Sequence, residues 1–152
     1  MSDDTTIRVA VDAVVFFWDH DWREEPDVLL IRREQEPFKG MLALPGNLMR
    51  HGEAAEDAVG RGLYEETGLR SDRGDWHDLP TQTEPLRDPC KRVISLPFWE
   101  VVNTDEVAQI QSGDDPDRVV VMPLSAALGA DLAFDHKDIL MDAREAFHEM
   151  ED

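Results

Sequence analysis

Residues 54–69 carry the pattern that most restricts how this chain can fold: Ala54, Ala55, Ala58, Val59, Leu63 and Tyr64 recur at spacings of three and four, and Thr67-Gly68 stops the run with a glycine just past the last turn. A helix of this kind has an apolar stripe to bury. The candidates for its partner flank it. Residues 8–18 are dominated by Val, Ala and Phe with Asp12 embedded among them, as in a strand buried on much of both faces. Polar, proline-containing residues 19–27 separate this strand from Val28-Leu29-Leu30-Ile31, so the two read as a β-hairpin. Residues 37–46, punctuated by Gly40, Pro45 and Gly46, suggest an irregular loop with a short extended piece at 41–44. Residues 91–102 and 118–122 read as strands, and residues 103–117 between them are too polar for regular core structure. Residues 135–150 form a closing helix with Ile139, Leu140, Ala143, Ala146, Phe147 and Met150 on one stripe. Strands interleaved with two amphipathic helices predict a mixed α+β or α/β/α domain.

At 152 residues a single domain, 1–152, is the expectation. No apolar run of eighteen residues occurs, and Met1-Ser2-Asp3-Asp4 has neither the charge nor the apolar stretch of a signal peptide, which predicts a cytoplasmic protein without a membrane partner. The lone Cys90 excludes an intramolecular disulfide and a thiolate metal cluster, and reads as a small, partly buried side chain. A net charge of -19, from 34 acidic and 15 basic residues, argues against a nucleic-acid partner, since a polyanion meets net repulsion. The acids are scattered rather than gathered in a tail, a solvated shell of the kind carried by proteins of a high-salt cytoplasm.

Chemistry concentrates around the first helix. The loop Leu44-Pro45-Gly46-Asn47 precedes Glu53, and Arg61, Leu63, Glu65, Glu66, Gly68 and Leu69 follow at fixed spacing. Positions 62, 65 and 66 share a helix face, so carboxylates there converge on a small volume suited to a hard cation with oxygen ligands. This run resembles the signature of the Nudix hydrolases: Gly, five residues, Glu, seven residues, then Arg-Glu-apolar-any-Glu-Glu-any-Gly-apolar. It holds from Asn47 to Leu69 with two departures, Asn47 at the opening Gly position and Gly62 in place of the Glu after Arg61.

The resemblance implies the Nudix fold, an α/β/α sandwich with a mixed sheet, a signature helix and a C-terminal helix. It implies Mg2+ or Mn2+ bound by Glu65, Glu66 and the backbone carbonyl near Gly46. Glu53 would lie at the start of the helix toward the same metals, and Arg61 would orient the carboxylates, giving a catalytic set of Glu53, Arg61, Glu65 and Glu66. Asn accepts a left-handed backbone better than most residues, so Asn47 is expected to preserve the loop. Gly62 removes a carboxylate and costs about 1 kcal/mol relative to Ala in mid-helix. Replacements are available in Glu56 and Asp57 or in the loop Asp114-Asp115-Pro116-Asp117.

The stretches Arg87-Asp88-Pro89, Arg92-Val93-Ile94-Ser95 and Leu132-Ala133-Phe134-Asp135-His136 resemble ADP-ribose pyrophosphatases and Nudix regulators that sense ADP-ribose. A nucleoside diphosphate derivative is then the implied ligand. Arg87 or Arg92 would pair with a phosphate, and Phe38, Trp76 or Phe98 would stack on a base, although Phe98 and Trp99 also suit the core. His136, just before a helical stripe, is a proton-transfer candidate but more often a packed histidine in such a place. Similar ADP-ribose enzymes are commonly homodimers. Three readings follow: an active hydrolase, a catalytically silent sensor that binds ADP-ribose, and an interaction scaffold.

Overall fold

The computed structural model describes residues 6–19, 25–71, 75–111 and 117–151. β1 (Arg8–Phe17) is the spine of the sheet. Its side chains alternate between two cores: Val14 and Phe16 belong to one, and Val11, Ala13, Val15 and Phe17 to the other. Burial on both faces, read from a run dominated by apolar residues with Asp12 embedded, is what the structure shows. β1 lies parallel to β6 (Val93–Val102) over its whole length, from Arg8 opposite Val93 to Phe17 opposite Val102.

The other edge of β1 is shared by two strands. Its C-terminal end pairs antiparallel with β2 (Asp27–Arg32), Phe16 opposite Val28. Its N-terminal half pairs with β4 (Gly46–Leu48), which sets Asp12 opposite Gly46 and Asn47 opposite Val11. Between them the Ala13 N–H donates to the Pro45 carbonyl at 2.8 Å, so the loop before β4 is held against the middle of the sheet. β2 continues the sheet to β3 (Leu42–Ala43) and also pairs with β7 (Val119–Pro123), and β5 (His77–Asp78) borders β6. The expected hairpin of residues 8–31 is therefore present, with part of its turn outside the described residues.

Helices cover both faces of the sheet. α1 (Ala55–Thr67) lays Ala58, Val59 and Leu63 on the core that contains Val11, Val15 and Phe17. The short α2 (Leu124–Gly129) and α3 (His136–Glu151) cover the other face, where Ile139, Leu140, Ala143 and Phe147 meet Val14, Phe16 and Trp18. The Phe147 ring stands edge-on to Trp18 at 5.0 Å, a geometry that adds to the transfer energy of burying so large a side chain. The α/β/α layering expected from the sequence is thus the observed architecture.

Three expectations need correction. Asn47 is not a left-handed loop residue: it lies in β4, and the non-glycine residues of positive φ are Phe38 (63°) and Phe134 (54°) among those described. Cys90 is exposed rather than partly buried. Residues 104–109 form a 3-10 helix where irregular chain was expected, yet none of them is buried, so their exclusion from the core stands. Among the described residues no helix is long and apolar enough to cross a membrane.

Candidate active site

The last turn of α1 ends on Gly68, whose φ of 79° lets its N–H return to the Tyr64 carbonyl at 2.8 Å. A side chain there would be strained by the left-handed backbone. As consecutive residues of a helix with about 3.6 residues per turn, Glu65 and Glu66 lie on neighbouring but different flanks. Glu66 turns to the sheet and accepts the Gly46 N–H at 2.8 Å. Gly46 must be glycine for this approach, because a Cβ would overlap the Asp12 carboxylate and lie 2.8 Å from the Val11 carbonyl oxygen. Burial, reinforced by the negative charge of Asp12, pushes the Glu66 carboxyl up to about 7 against the opposing pull of the Gly46 N–H, Arg118 and Arg33.

Glu65 is exposed and ion-paired, 3.3 Å from Arg50 and 3.3 Å from Arg61. Glu53 accepts from Arg61 Nε at 2.6 Å and from Nη2 at 2.8 Å, a two-point pairing that, with the Arg50 backbone N–H, holds its carboxyl down at about 2. Arg61 also donates to the Leu48 carbonyl at 3.2 Å. The Arg61 guanidinium thus touches both Glu53 and Glu65.

A cavity of about 440 Å³ opens beside Glu66, within the size range of small-ligand sites. Its wall includes Asp12, Arg33, Gly46, Arg87, Phe134 and His136, drawn from β1, the loop after β2, the start of β4, the segments before β6 and α3, and the start of α3. In a chain of net charge -19 it gathers Arg8, Arg33, Arg87 and Lys91 around one hollow. Arg33 is stacked, its guanidinium carbon 4.7 Å from the Phe134 ring centroid, and Nε donates to the Pro37 carbonyl at 2.8 Å. Stacking and this hydrogen bond fix the plane of a fork that matches phosphate oxygens.

Arg87 lines the cavity but is clamped at its back: Nε and Nη2 donate to Asp135 at 2.9 and 2.7 Å, and Nη1 to the Val93 carbonyl at 3.3 Å. The other proposed arginine, Arg92, is not on the cavity wall and reaches the Glu84 carbonyl at 3.5 Å. Phe38 is set one layer back, edge-on to Phe134 at 4.9 Å. Trp76 packs on Phe98 in the α1-side core, and Trp99 is buried in the α3-side core, so none of these three lines the cavity. Glu56 and Asp57 border a separate hollow at the start of α1, and Asp114 and Asp115 fall outside the described residues.

His136 is buried, and its Nδ1 accepts the Leu44 N–H at 3.0 Å. The proton of the neutral ring is therefore on Nε2, 3.5 Å from the Asp12 carboxylate. Burial pushes the imidazole below its ordinary value, only partly offset by Asp12. The ring acts as a packed strut that ties the loop before β4 to α3. Asp12 in turn accepts from the Ser95 hydroxyl. Asp12, Arg33 and Phe134 were not among the site residues expected from the sequence; the available signals were a carboxylate embedded in an apolar strand and the place of Phe134 within the stretch 132–136.

The chain matches the family model described as NUDIX domain over residues 6–143. It is 36% identical over 135 residues to an ADP-ribose pyrophosphatase of Methanocaldococcus jannaschii, covering 88% of this chain and 71% of that protein. The structure of a mutT/nudix family protein from Listeria innocua superposes with a TM-score of 0.78 at 29% identity, covering 94% of this chain and 95% of that one. The NUDIX domain of Shewanella oneidensis NrtR, solved in complex with ADP ribose, gives a TM-score of 0.76 at 28% identity over 93% of this chain and 89% of that one.

Proposed function

Because the chain belongs to the NUDIX domain family, we propose that it hydrolyses the pyrophosphate bond of a nucleoside diphosphate linked to another moiety, with ADP-ribose as the leading substrate class and a divalent cation as cofactor. The observation that carries this reading is the placement of Glu66 on a cavity wall that also presents Arg33, Arg87 and Lys91. A cavity lined by both arginines and carboxylates suits a diphosphate bridged to a metal ion. The M. jannaschii pyrophosphatase and the NrtR domain point the ligand class to ADP-ribose.

The donor set fits Mg2+ or Mn2+. Among the described residues no group of three or more acidic, His or Cys side chains stands together as a metal cluster. Magnesium asks for less than that, since it keeps several waters and takes one or two carboxylates plus substrate phosphates. Glu66 suits such an ion because burial and Asp12 both disfavour its lone negative charge. Glu66 and the Gly46 backbone would hold the ion, with Glu65 reaching it only by leaving Arg50 and Arg61. When bound, the cation neutralises phosphate charge and makes a coordinated water more acidic.

The remaining work falls to the chain itself. Arg33, held flat by Phe134, takes phosphate oxygens as a fork. Arg87 adds positive charge from behind while Asp135 fixes its position. The Arg61 contacts keep Glu53 ionised and the start of α1 in place.

A second reading, a sensor that binds ADP-ribose without turnover, is favoured by Gly62, which leaves no side chain where the signature has a glutamate. The test is product formation from a panel of nucleoside diphosphate derivatives with Mg2+ or Mn2+, read by chromatography. Turnover of ADP-ribose above the rest of the panel supports the hydrolase. Micromolar binding of ADP-ribose by calorimetry with no product from any compound replaces it with the sensor.

A further inference from the structure

The two departures from the signature meet in space. Gly62 is buried in α1, and a Cβ built on it would lie 2.5 Å from Cγ of Asn47 and overlap the rest of that amide. Asn47 comes from β4, across the sheet-helix interface. With its amide oxygen turned toward Arg61, Asn47 accepts from Nη1 at 2.8 Å and from Nη2 at 2.9 Å. The same guanidinium grips Glu53 through Nε and Nη2, Glu65 through Nη1 and the Leu48 carbonyl through Nη2. Asn47 also lines the cavity.

We infer that Asn47 is a positioning residue for Arg61 and that Gly62 exists to make room for it, so that the two substitutions form one coupled device rather than two separate losses. The physical reasoning is one of exclusion. The Asn47 amide occupies the volume into which any side chain at position 62 must project. A side chain at 62 can be accommodated only by swinging that amide away, which breaks both of its bonds to Arg61. An alanine at 47 empties the volume and removes the acceptor at once. Glycine is the poorest ordinary helix former, and its presence in the middle of α1 is explained by what it lets in.

A thermal double-mutant cycle without substrate tests the coupling. In the native background Gly62→Ala is expected to lower Tm, because the Asn47 amide is displaced. In the Asn47→Ala background the same change is expected to raise Tm by about 3 °C, the gain in helix propensity no longer being opposed. Effects of Gly62→Ala that have the same sign and size in the two backgrounds overturn the coupling.

Proton exchange of the Arg61 guanidinium, followed by 15N NMR, tests the positioning. Exchange is expected to quicken severalfold in Asn47→Ala and in Gly62→Ala, and to return to the native rate in Asn47→Asp, which keeps an acceptor. Unchanged exchange in Asn47→Ala overturns the positioning role. Neither readout depends on turnover, so failure here leaves the pyrophosphatase reading standing, and failure of that reading leaves this one.

Discussion

A guanidinium as buried as that of Arg87 requires a carboxylate, and Asp135 supplies one through two hydrogen bonds. Removing the partner leaves the charge uncompensated. Asp135→Ala is expected to destabilise the fold by roughly 3 kcal/mol in urea unfolding, whereas Arg92→Ala, at a partly exposed side chain, should change it by no more than about 0.5 kcal/mol. His136 gives a pH signature. Its pKa is depressed in the folded state, so the unfolded chain takes up a proton near its ordinary value, about 6.5, that the folded chain resists. Its contribution to stability is complete above that pH and declines below it, by up to about 1.4 kcal/mol per pH unit. Glu66, raised to about 7, has the opposite sign and favours the folded state as pH falls. The comparison is therefore between native protein and His136→Gln, unfolded in urea at pH 7.5 and 5: the variant should lose less stability on acidification. The sequence could nominate Arg87, Arg92 and His136 as candidates but not rank them, because what separates a clamped arginine from a loose one is a carboxylate 48 residues away. Glu66 was legible because its spacing from Arg61 and Gly68 is local. Asp12 and Phe134 were not, since only the folded sheet brings them together.

At the level of elements, α1 was readable nearly to the residue, its apolar spacing setting the buried face and Gly68 its end. That end is also its most sensitive point. Gly68→Ala places a Cβ on a backbone of φ 79°, 3.0 Å from the Gln109 carbonyl oxygen, and is expected to cost about 1–2 kcal/mol in equilibrium unfolding. A loss under a few tenths would mean that the C-terminal turn relaxes freely. The strands β1, β2, β6 and β7 were legible as runs of apolar, largely β-branched residues. β4, β5 and α2 were not, for a common reason: each is two to six residues long and too short to show a period. β4 and β5 owe their order to the neighbours they pair with. The unread β4 matters most, because it places Gly46 beside Asp12 and Asn47 beside Arg61.

The whole molecule carries a net charge of -19, and self-repulsion of that size opposes compaction. Added salt shortens the Debye length to about 3 Å at 1 M. Tm is therefore expected to rise between dilute buffer and molar KCl, and a flat profile would count against salt adaptation. Against the same excess of acid the cavity stands out, because Arg8, Arg33, Arg87 and Lys91 line it in number equal to its carboxylates, Asp12, Glu36, Glu66 and Asp88. The most direct measurement is the turnover of ADP-ribose with Mg2+ by native protein, by Glu66→Gln, and by Glu56→Gln, whose carboxylate borders a different hollow. Loss of kcat by about 100-fold or more in Glu66→Gln, with Glu56→Gln near native, is the expected result. Equal activity in all three proteins would contradict the assignment of this cavity as the place where the pyrophosphate is cleaved.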